Sequence, residues 1–349
     1  MSRRRAVVLF NLGGPDTLDA VRPFLFNLFS DPAILRRGPV LRWVLARLIS
    51  RRRAGTAREI YRRLGGGSPL LEQTRIQADA LEAALAGEDA KVFVCMRYWH
   101  PMAEEVVCEV RRYRPEEVVL LPLYPQFSTT TTASSLRQWR EAAAGRLEAP
   151  ARAVCCYPDD PGFIEALAGG IERALAGWAG PAPRILYTAH GIPKVFVAHG
   201  DPYQAQVERT VAALRARLGR EDLDQVVCYQ SRLGPLEWTG PYADAEIERA
   251  GREGQPLVVV PIAFVSEHSE TLVELDEDYR RLAGRSGVPR YVRVATVGTD
   301  ARFIDGLARL VRAALGRPPG IAPGGPEPAC PAGCGECASR AGGVADEAA

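Results

Sequence analysis

Arg184-Ile-Leu-Tyr-Thr-Ala-His-Gly-Ile-Pro-Lys194 reads as a short buried strand with an abrupt end. Ile185 to Thr188 are apolar or β-favouring, and Gly191 and Pro193 stop the run, so the strand delivers His190 to its C-terminal edge. That edge is where open parallel α/β sheets bind ligands. The same pattern stands at the start of the chain. Val7-Val-Leu-Phe-Asn-Leu-Gly-Gly-Pro15 aligns with Ile185-Leu-Tyr-Thr-Ala-His-Gly-Ile-Pro193, Gly13 over Gly191 and Pro15 over Pro193. Three further matches follow in the same order. Val92-Phe-Val-Cys95 matches Gln225-Val-Val-Cys228, Val118-Val-Leu-Leu-Pro-Leu123 matches Leu257-Val-Val-Val-Pro-Ile262, and Phe163-Ile-Glu-Ala-Leu167 matches Phe303-Ile-Asp-Gly-Leu307. Strands alternating with helical stretches make each half a parallel α/β unit with helices on both faces. The expected fold class is therefore α/β, with two similar Rossmann-like domains at residues 1–178 and 183–316. Gly180-Pro-Ala-Pro183 joins them, and residues 317–349 form a separate tail.

Composition sets the outer limits. A chain of 349 residues has room for two cores, and 47% hydrophobic with 25% charged residues is the balance of a globular protein. The formal net charge of +2 gives no general attraction for nucleic acid. Arginine outnumbers lysine 42 to 2, which we read as codon composition. Met1-Ser-Arg-Arg-Arg before Ala6 to Phe10 imitates a secretion signal, but the apolar run is too short and Asn11-Leu-Gly-Gly-Pro15 ends it like a strand-to-loop turn. No segment approaches the roughly 20 apolar residues of a membrane span. Eight cysteines without a secretion signal read as reduced thiols or metal ligands, not as a disulfide framework, and a cytoplasmic location is expected.

The halves differ between their first and second strands. That spacing is 85 residues in the first half (7 to 92) and about 40 in the second (185 to 225), and the surplus falls in residues 20–70. It holds Phe24, Leu25, Phe26, Leu28 and Phe29, then Trp43 and a run of arginines from Arg36 to Arg63. Such a stretch suits a large, flat, apolar ligand with carboxylates at its rim, or peripheral contact with the inner face of a membrane. The plainer reading is a helical excursion with a solvated arginine face. Two glycine-rich loops, Asn11-Leu-Gly-Gly-Pro15 and Gly65-Gly-Gly-Ser-Pro69, lack G-x-G-x-x-G and G-x-x-x-x-G-K-[ST]. They read as tight turns or as close approach of backbone to a ligand.

The second half carries the chemistry. After the strand Leu257 to Ile262 comes Val265-Ser-Glu-His-Ser-Glu-Thr-Leu-Val-Glu-Leu-Asp276. α-Helical spacing places Glu267, Glu270 and Glu274 on one face. Stacked carboxylates repel one another, and opposite an imidazole they call for a cation or a mobile proton. In the tail, Gly316-Arg-Pro-Pro-Gly-Ile-Ala-Pro-Gly-Gly-Pro326 reads as a linker with no capacity for a helix. It leads to Cys330-Pro-Ala-Gly-Cys-Gly-Glu-Cys337, whose three closely spaced thiols favour zinc or an iron–sulfur centre. Cys95, Cys108 and Cys228 lie in apolar stretches and read as core.

Seven motifs taken in order carry a resemblance. They are Leu12-Gly-Gly-Pro15, Tyr61-Arg-Arg-Leu-Gly-Gly-Gly-Ser-Pro69, Met96-Arg-Tyr-Trp-His-Pro101, Tyr124-Pro-Gln-Phe-Ser128, Ala189-His-Gly-Ile-Pro193, Gln230-Ser-Arg-Leu-Gly-Pro235 and Glu267-His-Ser-Glu-Thr-Leu-Val-Glu-Leu-Asp276. From residue 7 to about 312 the chain resembles the ferrochelatases, which insert ferrous iron into a porphyrin in haem biosynthesis. The resemblance implies two Rossmann-like halves with the porphyrin in the cleft between them. It implies that His190 and Glu270 are the central catalytic pair and meet the substrate Fe²⁺, with Glu274 further along the helix and His268 a lesser member of the path. Arg52, Arg53, Tyr61 and Ser68 fall where the family handles the porphyrin rim and propionates, and guanidinium groups match carboxylates bidentately. Leu12, Arg97, Tyr98 and Trp238 match porphyrin-binding positions, with core packing the other reading of Trp238.

The chemistry agrees with that resemblance. Insertion requires loss of two pyrrole protons, which a neutral imidazole can accept near pH 7. A line of carboxylates can relay those protons or strip water from the incoming iron. Some family members carry a [2Fe–2S] cluster near the C-terminus, which would make Cys330, Cys334 and Cys337 its ligands. In animal-type relatives the fourth ligand follows a motif like Tyr124-Pro-Gln-Phe-Ser128. Here that position is Thr129, which offers no thiolate, so the fourth ligand would come from elsewhere, with Cys155 and Cys156, at a sheet edge a tail could reach, as the candidates. The expected activity is insertion of iron into protoporphyrin IX to form protohaem, the last step of haem biosynthesis, by a monomer or homodimer. A coproporphyrin III ferrochelatase is the nearest alternative, but that branch tends to place a tyrosine where this chain has Leu12, which cannot coordinate iron. A cobalt or sirohydrochlorin chelatase resembles the chain less. A non-catalytic porphyrin or haem carrier would have no use for the acidic face at residues 267–274.

Overall fold

The apolar runs that open each half become central strands of two parallel sheets. The computed structural model describes residues 3–325, 330, 334 and 335, which fall into two units. One unit runs to Cys156 and takes in Ala308–Gly324, and the other spans Tyr157–Leu307.

In the first unit β1 (Arg5–Asn11) leads through α1 (Val21–Ser30), α2 (Pro39–Arg63) and α3 (Leu70–Ala84) to β2 (Ala90–Met96). Then α4 (Ala103–Tyr113), β3 (Glu117–Pro122), α5 (Thr132–Ala143) and β4 (Ala151–Val154) follow. β3 is buried at every position, as a strand covered on both faces must be, so its sequence shows no polar alternation. On one face Ala6, Val8 and Phe10 of β1 meet Val106, Val110, Leu136 and Trp139, and the Phe10 and Trp139 rings meet edge-on at 5.9 Å. Burying each such large apolar side chain stabilises the fold by roughly 1.5–3 kcal/mol.

The second unit begins with α6 (Pro161–Leu175). Asp160 caps it by accepting hydrogen bonds from the N–H groups of Gly162 and Phe163, and Pro161 occupies the first helical position. β5 (Arg184–His190), α7 (Lys194–Ala198), α8 (Tyr203–Leu218), β6 (Gln225–Gln230), α9 (Ala243–Arg252) and β7 (Leu257–Pro261) come next. A π-helix at Glu270–Tyr279, α10 (Arg280–Ser286), β8 (Tyr291–Arg293), α11 (Ala301–Leu315) and β9 (Gly320–Ala322) complete the described chain. The sheet orders are β2-β1-β3-β4-β9 and β6-β5-β7-β8, all pairs parallel. Each half thus repeats one topology, with its first strand between its second and third. The strand order reverses there, so a ligand crevice belongs at the C-terminal ends of β1 and β3 in one unit and of β5 and β7 in the other. Phe163 and Phe303, the positions that open the fourth sequence match, also touch, with ring centroids 5.9 Å apart.

Two features differ from expectation, and a third fills in a reading left open. The Pro/Gly stretch after α11 forms no helix, but it is more than a linker. Its residues Gly320, Ile321 and Ala322 pair with Arg152, Ala153 and Val154, because the edge of β4 offers unpaired backbone groups. Cys95 and Cys228 are buried as expected, whereas Cys108 is exposed on the solvent side of α4. The surplus at residues 20–70 is helical and has an apolar inside: Val21, Phe24, Leu25 and Phe29 of α1 cluster with Ala46 and Tyr61 of α2. The outer side of α2 nevertheless leaves Val40, Leu41, Trp43, Val44 and Leu48 in solvent, with the Arg47 guanidinium over the Trp43 ring.

Candidate active site

β5 carries His190 to its last position, as its sequence requires, and the side chain keeps 39% of its surface. His190 Nδ1 lies 2.9 Å from Glu270 Oε2, so the imidazole engages the carboxylate through that nitrogen. Gly191 allows the next contact. A Cβ there would lie 3.2 Å from Gln230 O and 3.3 Å from Trp238 Cε3, closer than most Cβ contacts, so a neighbour would have to give by a few tenths of an ångström. The Trp238 ring meets the imidazole edge-on with centroids 6.3 Å apart, and its indole N–H donates to Leu233 O. Trp238 is thus part of the site's wall and only partly buried, not core filling.

The acidic stretch does not form the expected α-helical face. Glu267 lies before the helix and accepts hydrogen bonds from Arg293 Nη1 at 2.6 Å and Thr296 N at 3.0 Å. Arg293 also grips Asp276, which ties the far end of the segment to the same guanidinium. From Glu270 onward the helix is of the π type, with i to i+5 hydrogen bonding, so residues four and five apart stack. Glu270, Glu274 and Tyr279 then share one side, and Tyr279 OH donates to Glu274 Oε1 at 3.1 Å. Glu274 also accepts from Ser231 N at 3.1 Å, from Gln230 Nε2 at 3.3 Å and from the Ser231 hydroxyl. His268 stands beside this row. Its Nδ1 accepts the Glu270 N–H at 3.1 Å, which places the ring proton on Nε2, and its ring packs edge-on against Phe264.

The electrostatics separate these groups. Burial raises the Glu270 carboxyl pKa, but the charge and hydrogen bond of His190 outweigh that and bring it down to about 2. Burial lowers the His190 pKa, and Glu270, with Glu274 behind it, reverses the shift to a net rise. Glu274 goes the other way from Glu270, pushed up by burial and by the Glu270 charge. His268 is pushed down by burial. Two carboxylates one helical step apart therefore differ in basicity, the pattern that separates proton donors from acceptors.

The candidates of the first unit occupy a second constellation. Leu12, Tyr61 and Tyr98 pack in the apolar cluster of α1 and α2. Arg53 is half-buried with its guanidinium 6.0 Å from the Phe29 ring, while Arg52 is exposed. The two glycine-rich loops close on each other. Ser68 N donates to Pro15 O at 2.7 Å, and a Cβ on Gly14 would lie 2.5 Å from Ser68 Cβ. Arg97 and Tyr98 are engaged with Asp31, a residue that sequence pattern did not single out. Asp31 Oδ2 accepts from Arg97 Nη2 at 2.7 Å, Tyr98 OH at 2.8 Å and the Ser134 hydroxyl, and Oδ1 accepts from Arg137 Nη2 at 2.8 Å. Tyr98 is fully buried in this arrangement. Of the residues found only in the structure, Ser231 lay inside a quoted motif. Tyr279 could have been found only with the π register in hand.

Among the thiols, Cys155 and Cys156 are buried beyond β4 with their sulfurs 3.2 Å apart. Cys330 is buried and accepts a hydrogen bond from Gln206 Nε2 at 3.1 Å, Cys334 is partly buried, and Cys337 lies outside the described residues. Among the described residues no three His, Cys, Asp or Glu side chains are gathered to hold a metal ion.

Two parallel sheets of the same strand order, the second presenting an imidazole–carboxylate pair where that order reverses, define an α/β protein of the chelatase class. Solved structures of similar fold include SirB from Bacillus subtilis, with TM-score 0.53 and 11% identity over 89% of this chain and 95% of that one. CbiX, from siroheme biosynthesis in denitrifying bacteria, gives 0.51 and 15% over 89% and 99%. At such identities the likeness speaks for the fold alone. The sequence relatives are nearer. The ferrochelatase family model matches residues 4–315. The ferrochelatase of Caulobacter vibrioides (strain NA1000 / CB15N) is 52% identical over 325 residues, 92% of this chain and 93% of that protein. That of Phenylobacterium zucineum is 52% identical over 345 residues, 97% and 99% of the two chains, and that of Pelagibacter ubique 44% over 313, 88% and 90%. The chain belongs to the ferrochelatase family.

Proposed function

We propose that this protein inserts ferrous iron into protoporphyrin IX to form protohaem, with His190, Glu270 and Glu274 as its catalytic residues. The observation that carries the reading is the His190–Glu270 pair at the end of β5, with the more basic Glu274 one step behind it. Glu270 engages Nδ1, so the lone pair able to take a pyrrole proton is on Nε2. Two protons must leave the porphyrin and one imidazole holds only one, so a further acceptor is needed, and Glu274 has the raised basicity for it. Iron enters as substrate, with Glu270 supplying an oxygen that replaces its water and the His190 Nε2 lone pair supplying a nitrogen only while it holds no proton. Arg52, Arg53, Tyr61 and Ser68 take the propionates in this reading, and Leu12 and Arg97 of the first unit and Trp238 of the second bind porphyrin, whereas Tyr98, fully buried against Asp31, acts only by holding its neighbours. Leu12 favours protoporphyrin over coproporphyrin III, since its side chain offers no ligand atom.

The test is anaerobic mixing of the purified protein with Fe²⁺ and each porphyrin while the Soret band is followed. Conversion of protoporphyrin IX, faster than that of coproporphyrin III, is expected. Turnover of coproporphyrin alone would overturn the substrate assignment, and binding of both without turnover would leave a carrier.

We further propose that Cys330, Cys334 and Cys337 hold a [2Fe–2S] cluster with Cys155 or Cys156. Support comes from the thiol spacing in the tail and from two buried sulfurs beside the edge that β9 joins. The described thiols do not by themselves assemble a site, and no step of the reaction is routed through a cluster. Among the described residues no helix is long and apolar enough to cross a membrane. Membrane contact would be peripheral, through the exposed apolar and arginine-bearing side of α2 against anionic lipid.

A further inference from the structure

Ser231 directly follows β6 and is held at φ 65°, a conformation that L side chains seldom adopt unless their surroundings enforce it. The enforcement is visible on both sides. Gln230 O accepts the Gly191 N–H at 2.9 Å, while the Arg232 guanidinium stacks 4.2 Å over the Tyr242 ring and donates to Asp244 Oδ2 at 2.7 Å. Pinned in this way, residue 231 turns its N–H and its hydroxyl toward Glu274. The N–H reaches Glu274 Oε1 at 3.1 Å, and the hydroxyl bonds Glu274 Oε2 while lying 3.4 Å from Glu270 Oε2. One oxygen therefore stands between the two carboxylates. A glycine would take the same backbone shape without strain, so replacing Ser231 by glycine removes the side chain and keeps the turn.

We propose that the Ser231 hydroxyl is the bridge by which a proton passes from Glu270 to Glu274, so that Ser231 is a positioning residue of the reaction. The inference rests on the function proposed above and deepens it. In the step, a proton on Glu270 Oε2 forms an O–H bond to Ser231 Oγ while the existing Ser231 O–H bond breaks toward Glu274 Oε2. One bond forms on the serine as one is lost, the serine stays neutral, and the negative charge moves from Glu274 to Glu270. Rotation of the hydroxyl turns its proton back toward Glu274, and the starting state returns once Glu274, which is only partly buried, has passed its own proton to solvent. Neither carboxylate needs to move, since His190 holds Glu270, and Tyr279 with the Ser231 and Gln230 N–H groups holds Glu274. Glu270 is thereby freed to take the next proton from the imidazole.

The test uses Ser231→Gly and Ser231→Ala in the full-length protein. Glycine accepts the positive φ, which offsets part of the lost hydroxyl contact, so its thermal midpoint should stay within a few degrees of the wild type and a loss of activity could not be blamed on folding. With the bridge gone, kcat for ferrous insertion should fall about tenfold or more in both variants, while porphyrin Kd stays within about twofold. The solvent deuterium effect on kcat should rise, because proton passage becomes the slow step. Unchanged kcat in both variants would overturn the bridge. So would a fall in kcat matched by an equal weakening of porphyrin binding, which would show that Ser231 shapes only the ring site. A wild-type protein that binds porphyrin and never metallates it overturns the function and the bridge together, whereas an active wild type beside equally active variants overturns the bridge alone.

Discussion

His190 stands under opposing influences, burial lowering its pKa and Glu270 with Glu274 raising it further. As a base it must be neutral, so metallation should fall as pH drops through the raised imidazole value. The imidazole's contribution to stability has the opposite profile, complete below its ordinary value and lost as pH rises through the folded one, while that of Glu270 is lost at the acid end as pH falls toward its folded value of about 2. Glu270→Gln removes the strongest raising influences and leaves burial, so the acidic limb of the pH–rate profile should move to lower pH while the maximal rate falls. An unmoved limb would show that Glu270 does not set the basicity of His190. His190→Ala should lower kcat by roughly 10²- to 10⁴-fold. Its circular dichroism should stay that of the wild type, because the side chain is partly exposed at a strand end. Retained turnover would remove the histidine from the mechanism. These residues were legible in the sequence because type and spacing are local properties. Ser231 was not, since its importance lies in a backbone angle and in two carboxylates that follow it by 39 and 43 positions.

Where elements meet, the carboxylate of Asp31 joins the end of α1 to the loop after β2 and to the first turns of α5. Its side chain has no exposed surface, and burial would raise its pKa, yet Arg97 and the hydrogen bonds from Ser134, Ala33 and Tyr98 give a net fall. Asp31→Asn leaves Arg97 and Arg137 without their counter-charge and should destabilise the first unit by about 3 kcal/mol, measured by denaturant unfolding at neutral pH. The sign with pH is set. A depressed carboxyl contributes above its unfolded pKa and loses that contribution as pH falls through the folded one. The gap between wild type and variant should therefore close in acid, and a gap that persisted there would assign it to packing instead. Sequence periodicity found the first three strands of each half for the same reason it missed this hub. Apolar spacing reports which face is buried, not which polar group waits on the other side. It also assumed an α register for the acidic stretch, and the pairing of Arg293 with Glu267 and Asp276 accompanies a different one.

Two surfaces of the whole molecule make separate predictions. Purified anaerobically and before any haem is added, the protein should show the visible absorption of a thiolate-ligated iron–sulfur centre. Changing Cys330, Cys334 or Cys337 to serine should bleach it, and changing Cys228, which is buried in the second unit's core, should not. Zinc without iron or sulfide would replace the cluster with a structural zinc site, and a metal-free colourless protein would remove it. The outer side of α2 should draw the protein to vesicles containing anionic phospholipid at low salt, less so to neutral ones. Trp43→Ser combined with Leu48→Ser should lower the sedimented fraction, because both side chains are more than half exposed and contribute little to the core. Equal sedimentation with and without anionic lipid would dismiss charge as the attraction.

The sequence by itself determined that this protein is a duplicated parallel α/β chain, that His190 ends a central strand, and that Glu270 and Glu274 follow the third strand of the same half. Those conclusions rest on residue type, apolar runs and the turn residues beside them, all of which act over a few positions. The tertiary structure decided what depends on partners far apart in the chain. It drew Glu267 away to Arg293, set Glu270, Glu274 and Tyr279 in a π register, turned Arg97 and Tyr98 toward Asp31 and placed residues 320–322 on the edge of the first sheet. Buried charges and unpaired strand edges must find a partner wherever the folded chain brings one within reach, and no local pattern names which one that will be.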